Sequence, residues 1–334
     1  MLLTNPKTID EAQLAAEIEA GRLPRIQFSS PEACDLSILA RVNACCERFG
    51  SKLLVRFFGY YKADFDAEIL RHLPAVRALI IHLHSAKNIE FVGQLQHLEE
   101  LGLGVFEGNY PNILEEPGIQ RVQRLILIDN RRNNVDLAPL GRFSNLSELI
   151  LCGHARHIEV LDSLGNVRRL SLNQIKNSVR FPWIRSMAAL RDLTILLGGR
   201  ADIDEVSHGQ LDRLRVDRVR GIERINLTGF PALCRFHMED QLRVTDIDLT
   251  PVHSTLRSMT IWNCKNLTQL RGLERMTNLE FLWIGKTKVD ADAVIRSLPK
   301  CLHEVTLAGY GTKRNAAIKS RLQQQGFAPA SYAG

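Results

Sequence analysis

Histidines, cysteines and carboxylates are the side chains through which a chain could hold a metal or run a reaction, and their spacing here supports neither. His82-Leu83-His84 sets two imidazoles on one side of an extended segment, a pair that could ligate a metal. A zinc-type site needs three or four ligands, and no third is close in sequence; His154 and His157 fare no better. The seven cysteines are odd in number and include no C-x-x-C, which argues against a disulfide framework and against a zinc ribbon, and points to a reducing cytoplasm. Cys45 and Cys46 lie on a predicted helix and are expected to be half buried. The chain has no G-x-x-x-x-G-K-[ST], no H-E-x-x-H and no G-x-S-x-G elbow. Asn145-Leu-Ser, Asn226-Leu-Thr and Asn266-Leu-Thr match glycosylation sequons, which mean little without a secretory signal. The expectation is a non-enzymatic chain with no cofactor and no metal.

Charge is the next candidate. The net charge is +6 over 334 residues, with 24% charged, 45% hydrophobic and 6% aromatic residues. Such a chain buries a core and is not disordered. No apolar run approaches the length of a membrane-spanning helix. The opening Met1-Leu2-Leu3-Thr4-Asn5-Pro6-Lys7 has no basic stretch followed by an apolar one, so export by a standard signal is not expected; a non-classical route stays open. Arginine far outnumbers lysine, but acids are interspersed, as in the stretch from Arg213 to Arg224 with Asp217 and Glu223 inside it. A nucleic-acid binder concentrates positive charge on one face. The mixture reads as a solvated surface.

What positions these side chains is a repeat. Leu-x-x-Leu-x-Leu recurs, its last two apolar positions falling at Leu79/Ile81, Leu101/Leu103, Leu125/Leu127, Leu149/Leu151, Leu170/Leu172 and Leu193/Ile195. It continues at Leu214/Val216, Phe236/Met238, Met259/Ile261, Leu282/Ile284 and Val305/Leu307, with every interval between 21 and 24 residues. Alternating apolar residues mark a short strand with one buried face. A second alternation follows about ten residues later, as in Ile89/Phe91, Val135/Leu137, Ile158/Val160, Val179/Phe181, Ile225/Leu227 and Ile247/Leu249. One such unit cannot bury its own leucines, whereas stacked units bury them continuously.

The stretch from Asn133 to Leu151, with Asn133-x-Val135-x-Leu137-x-Pro139-Leu140 inside it, resembles the internalin-type leucine-rich repeat and the related phosphatase-regulating repeat proteins. The resemblance covers roughly residues 73–308. It implies an α/β solenoid: a leucine-rich repeat horseshoe with a parallel concave β-sheet, short extended or 3₁₀ segments on the convex side, and a helical N-terminal cap. One departure stands out. The position that such families fill with an asparagine or cysteine ladder is Asn130, Cys264 and Thr287 in some repeats, but His84, Phe106, His154, Ile175 or Val219 in others, which predicts local irregularity.

The ends complete the plan. Residues 1–72 form the cap and first units: a helix over 8–20 ending before Gly21, a strand at Arg25–Phe28, a helix from Pro31 to about Arg48, a strand at Leu53–Phe58 and a short helix near Asp64–His72. Residues 73–308 are the solenoid. Residues 309–334 hold a basic capping helix, Lys313–Gln325, and a loose tail from Gly326 to Gly334.

Residues flanking the strand leucines face away from the core. Near the N-terminal end they include Ile80, Ile126 and Ile150, an apolar strip. In the middle they are Arg169, Asp192, Arg213, Arg215, Asp217, Arg235, His237 and Glu239. Toward the C-terminal end Trp262, Phe281 and Trp283 cluster in neighbouring rows, expected to be exposed as a hot spot. The charged band reads equally as mutually paired surface ions or as a recognition band. The expected function is a protein-interaction module that holds a partner protein on its concave face, as a bacterial inhibitor, adaptor or toxin-neutralising immunity protein. A translocated effector acting by protein binding is the alternative. Nucleic-acid binding through Arg213–Arg235 is a further one, against which Asp217 and Glu239 count. The oligomeric state is left open.

Overall fold

The computed structural model describes residues 1–59 and 64–332. Backbone contacts divide the chain into two compact units, Met1–Val167 and Arg168–Gly334. Each is a stack of parallel strands joined by short return segments.

Among the described residues, the main sheet of the first unit contains seven strands, β1 (Leu2–Thr4), β2 (Arg25–Phe28), β3 (Leu54–Gly59), β4 (Ala78–Leu83), β5 (Glu100–Val105), β6 (Arg124–Leu127) and β7 (Glu148–Cys152), and a short parallel pair, Phe65–Asp66 with Ala86–Lys87, lies outside it. Each pairs in parallel with the next. Helix α1 (Glu11–Glu19) follows β1, and α2 (Leu36–Phe49) follows β2. The sequence placed the start of α2 at Pro31. Instead Pro31–Ala33 is a separate 3₁₀ turn whose leading Ser30 makes no side-chain cap, while Asp35 accepts from the Ser37 amide at 2.8 Å and starts the helix. Its buried stripe is Ile38, Leu39, Val42, Cys45 and Cys46, so both cysteines are fully buried rather than half buried.

The main sheet of the second unit has, among the described residues, seven strands, β8 (Arg169–Asn173), β9 (Asp192–Leu196), β10 (Arg213–Asp217), β11 (Arg235–Glu239), β12 (Ser258–Trp262), β13 (Phe281–Gly285) and β14 (Glu304–Ala308), and a short parallel pair, Asp246–Asp248 with Gln269–Arg271, lies outside it. These too pair in parallel in chain order. Every strand the repeat predicts, from Leu79/Ile81 to Val305/Leu307, is present. Return segments hold 3₁₀ turns such as Ala138–Arg142, Ile158–Ser163 and Pro182–Ser186; helix α3 (Ala291–Arg296) replaces the turn before β14. Helix α4 (Thr312–Gln324) follows β14. The strand leucines are buried in both units, as are most of their partners in the returns, while Phe91, Val160 and Val179 are half-buried.

The tail corrects an expectation. Its described part is not loose: Ala328 bridges Glu304 in parallel, the Val305 amide donates to the Ala328 carbonyl at 2.8 Å, and the Thr306 hydroxyl donates to the Ala330 carbonyl at 2.8 Å. Ala333 and Gly334 lie outside the described residues.

Two local features explain how successive repeats stack. The residue directly after every main-sheet strand of the second unit is left-handed: Gln174, Leu197, Arg218, Asp240, Asn263, Lys286 and Gly309. That conformation costs a non-glycine residue about 1–2 kcal/mol. Its amide extends the ladder to the neighbouring strand, as Leu197 N–H to Asp217 O and Arg218 N–H to Glu239 O, both at 2.9 Å. The asparagine-ladder position, in turn, is filled in several repeats by another side chain that reaches a carbonyl. His154 Nε2 lies 3.1 Å from the Ile128 carbonyl, and Gln241 Nε2 donates to the Glu239 carbonyl at 2.9 Å. The Cys264 thiol points at the Trp262 carbonyl at 3.4 Å. His84 and Phe106 stack on each other, with ring centroids 5.8 Å apart.

Candidate interaction face

In the second unit the strand register sets the outward side chains on a lattice. One row runs Asp192, Arg213, Arg235, Ser258, Phe281, Glu304; the next runs Thr194, Arg215, His237, Thr260, Trp283, Thr306. The third runs Leu196, Asp217, Glu239, Trp262, Gly285, Ala308. The alternate residues Leu214, Val216, Met259, Ile261, Leu282 and Ile284 are fully buried beneath. Trp262 and Trp283 therefore belong to the face opposite the core.

They are not freely exposed, however. Trp283 is 7% exposed, and Trp262 and Phe281 are half-buried. The two indole rings lie 4.7 Å apart at 56°. They fit because Trp262 is cross-strand to Gly285, where a Cβ would fall 2.4 Å from Trp262 Cζ3 and 2.8 Å from Trp283 Cη2. Lys286 caps Trp262 with its ammonium 4.5 Å from the ring centre. The cover is Tyr332, brought over the sheet by the returning segment after α4. Its ring lies 4.8 Å from that of Trp283, 5.9 Å from that of Trp262 and 6.2 Å from that of His237, and its hydroxyl donates to Glu239 Oε2 at 2.8 Å. The sequence pattern could not show this cover, since Tyr332 lies 93 residues from Glu239.

The charged band is paired internally. Arg213 lies 3.7 Å from Asp192, and Arg169 is cross-strand to Asp192. Arg235 pairs with Asp212. Arg215 Nε donates to Asp217 Oδ2. Arg218, on its left-handed turn, reaches both Glu239 and Asp240 at 3.2 Å. Burial raises Asp192 above the usual carboxylate range against the pull of Arg213, Arg235 and Arg169. Burial likewise pushes Asp217 up to about 6 and holds His237 down to about 4, so the imidazole is neutral at physiological pH. Burial acts on Glu239 in the same sense, but Tyr332's hydrogen bond and Arg218 outweigh it and leave the carboxyl below its ordinary value. Burial and the bond to Glu239 lift the Tyr332 phenol to about 12.

In the first unit the outward isoleucines Ile80, Ile126 and Ile150 are half-buried. Ile80 and Ile128 lean over the glycines of β5: a Cβ at Gly102 would meet Ile80 Cγ1 at 3.0 Å, and one at Gly104 would meet Ile128 Cβ at 2.5 Å. His82 and His84 both sit in this unit, and neither belongs to a cluster of three metal-ligating side chains among the described residues. No helix among those residues is long and apolar enough to cross a membrane.

No family model and no curated protein matches the sequence. Solved structures do match by shape. An internalin from Listeria monocytogenes superposes with a TM-score of 0.53 at 17% identity, over 86% of this chain and 78% of that one. A leucine-rich repeat protein from Leptospira interrogans matches over 98% of this chain and 93% of that one, at 14% identity and a TM-score of 0.45. At such identities the likeness to the internalin is one of fold. Taken with the 21–24-residue period and the parallel strands it generates, it gives the chain the fold of a leucine-rich repeat solenoid.

Proposed function

We propose that this chain is a non-enzymatic protein-interaction module that holds a partner protein on the outward face of its second unit. The observation that carries the reading is the lattice itself. Aromatic side chains, Trp262, Phe281 and Trp283, stand beside a band of arginine–carboxylate pairs, on the sheet face that the core does not use. Tryptophan and arginine are the side chains most enriched in binding hot spots, and the flanking ion pairs supply specificity and speed of encounter more than affinity. The internal pairing of those arginines speaks against nucleic acid, which would need them free to displace counterions. Within this reading the partner is a protein neutralised or tethered by the chain, the role of an inhibitor, adaptor or immunity protein in a reducing cytoplasm. An effector delivered by a non-classical route would use the same face.

The test is affinity capture from the source organism's lysate, followed by calorimetry on the recovered partner. Trp262→Ala and Arg235→Glu are compared with the parent after circular dichroism shows each to be folded. Hot-spot loss of about 2 kcal/mol corresponds to a dissociation constant roughly 30-fold weaker. Unchanged affinity in both variants removes the face from the reading. Recovery of nucleic acid that washes off with salt replaces the reading altogether.

A further inference from the structure

Three outward side chains of two adjacent strands converge in a way the binding face does not require. Asp217 and Glu239 are cross-strand neighbours at the ends of β10 and β11, and His237 lies two residues before Glu239 on the same face. Their donor atoms all fall within 4.8 Å of one another. His237 Nε2 is 3.3 Å from Asp217 Oδ1 and 3.7 Å from Glu239 Oε2. Asp217 is 3% and His237 7% exposed, yet Asp217 Oδ1 and His237 Nε2 are both buried without a hydrogen-bond partner. Burying two such atoms unsatisfied is costly unless a ligand is there to meet them.

The geometry points to a divalent transition-metal site of the zinc class, with Asp217 Oδ1, His237 Nε2 and Glu239 Oε2 as ligands. Metal–ligand bonds of about 2.0–2.1 Å in a tetrahedron put ligand atoms about 3.3–3.4 Å apart, close to the two distances from the imidazole. A neutral imidazole is the ligating form. Calcium is disfavoured, because it takes six to eight oxygen ligands. The opposite oxygens of the carboxylates are already held, Asp217 Oδ2 by Arg215 and Glu239 Oε1 by Arg218, which turns Asp217 Oδ1 and Glu239 Oε2 inward as outer hydrogen bonds do at metal sites. The Tyr332 hydroxyl, on Glu239 Oε2, closes one side. The same two guanidiniums oppose an incoming cation, so this site is weaker than a structural zinc site built of thiolates. A bound ion would tie β10 to β11 and fix the acids in the middle of the face, whatever that face binds.

The experiment uses untagged full-length protein, stripped with chelator and exchanged into chelator-free buffer. It is titrated with Zn²⁺ by calorimetry and with Co²⁺ by visible absorption. One equivalent should saturate, with the d–d absorption of a four- or five-coordinate cobalt ion. Asp217→Asn and His237→Gln should each weaken Zn²⁺ binding at least tenfold, while Glu223→Gln, an exposed carboxylate paired with Arg243, should bind as the parent does. Should circular dichroism show Asp217→Asn unfolded, His237→Gln and Glu239→Gln carry the comparison. No saturable binding by the parent overturns the proposal and leaves an imidazole–carboxylate contact only. Equal binding by the parent and all folded ligand variants overturns it too, placing the ion elsewhere. Neither result bears on whether a partner protein docks on the face.

Discussion

Replacing Gly285 with alanine adds one methyl group and should disturb the paired tryptophans more than any distant substitution of that size. The new Cβ falls 2.4 and 2.6 Å from Trp262 Cζ3 and Cε3 and 2.8 Å from Trp283 Cη2. Comfortable carbon contacts begin near about 3.5 Å, so the rings must retreat by about 1 Å. Trp283 is buried and cannot move far, which leaves Trp262 to swing outward and lose its contacts with Trp283 and Lys286. Overpacking of this kind costs about 1–3 kcal/mol, and because Trp262 is only half-buried the lower half, about 1–2 kcal/mol, applies. With an unfolding entropy of about 2.1 cal/mol/K per residue, that lowers the melting midpoint by about 2 °C if the whole chain unfolds together, and by about 4 °C if the second unit melts alone. The assay is a thermal scan paired with circular dichroism in the tryptophan bands, where two indoles 4.7 Å apart couple. Gly165→Ala is the control, since a Cβ there meets nothing within 4 Å. An unchanged midpoint together with an unchanged tryptophan signal would refute the placement of the rings over Gly285.

Tyr332→Ala should uncover Trp283 and raise acrylamide quenching of tryptophan fluorescence, whereas Tyr332→Phe, which loses only the bond to Glu239, should not; equal quenching in both means the ring is no cover. In the native protein at pH 8 a disulfide reagent should label no more than Cys234 and Cys301, because burial excludes the other five and pushes Cys46 and Cys264 up to about 12. All seven should react in denaturant, and rapid native labelling of Cys46 would contradict the packing of α2. Glu205→Gln should cost about 3 kcal/mol in urea unfolding, since it strands the buried Arg200, 3.4 Å away and stacked 3.8 Å from the Phe181 ring centre. A loss under about 1 kcal/mol would show that the Phe181 ring alone satisfies that guanidinium.

The strands were legible because alternation and period are properties of single repeats, and each of the eleven predicted pairs lies in a strand. Strand Leu2–Thr4 was not, since three residues are too few to display alternation. The start of α2 was misread because proline at a first helical turn is a weaker signal than an aspartate able to cap two residues later. The outward direction of Trp262 and Trp283 followed from register, but their burial did not. It depends on Tyr332, which no local rule connects to them. The convergence of Asp217, His237 and Glu239 was hidden for a related reason. Its ligands come from two strands a full repeat apart, and a spacing motif is visible only when ligands share one segment.

The turn that follows each strand of the second unit has a consequence for how such a chain changes over generations. From the first residue of each main-sheet strand to its left-handed successor is always six residues, from Arg169 to Gln174 through Glu304 to Gly309. All variation in repeat length therefore lies in the return segments. An insertion or deletion there shifts no side chain on the outward lattice, whereas one within the six would reverse which side chains face out along the rest of that strand. What the face recognises and how long each repeat grows are thus free to drift separately.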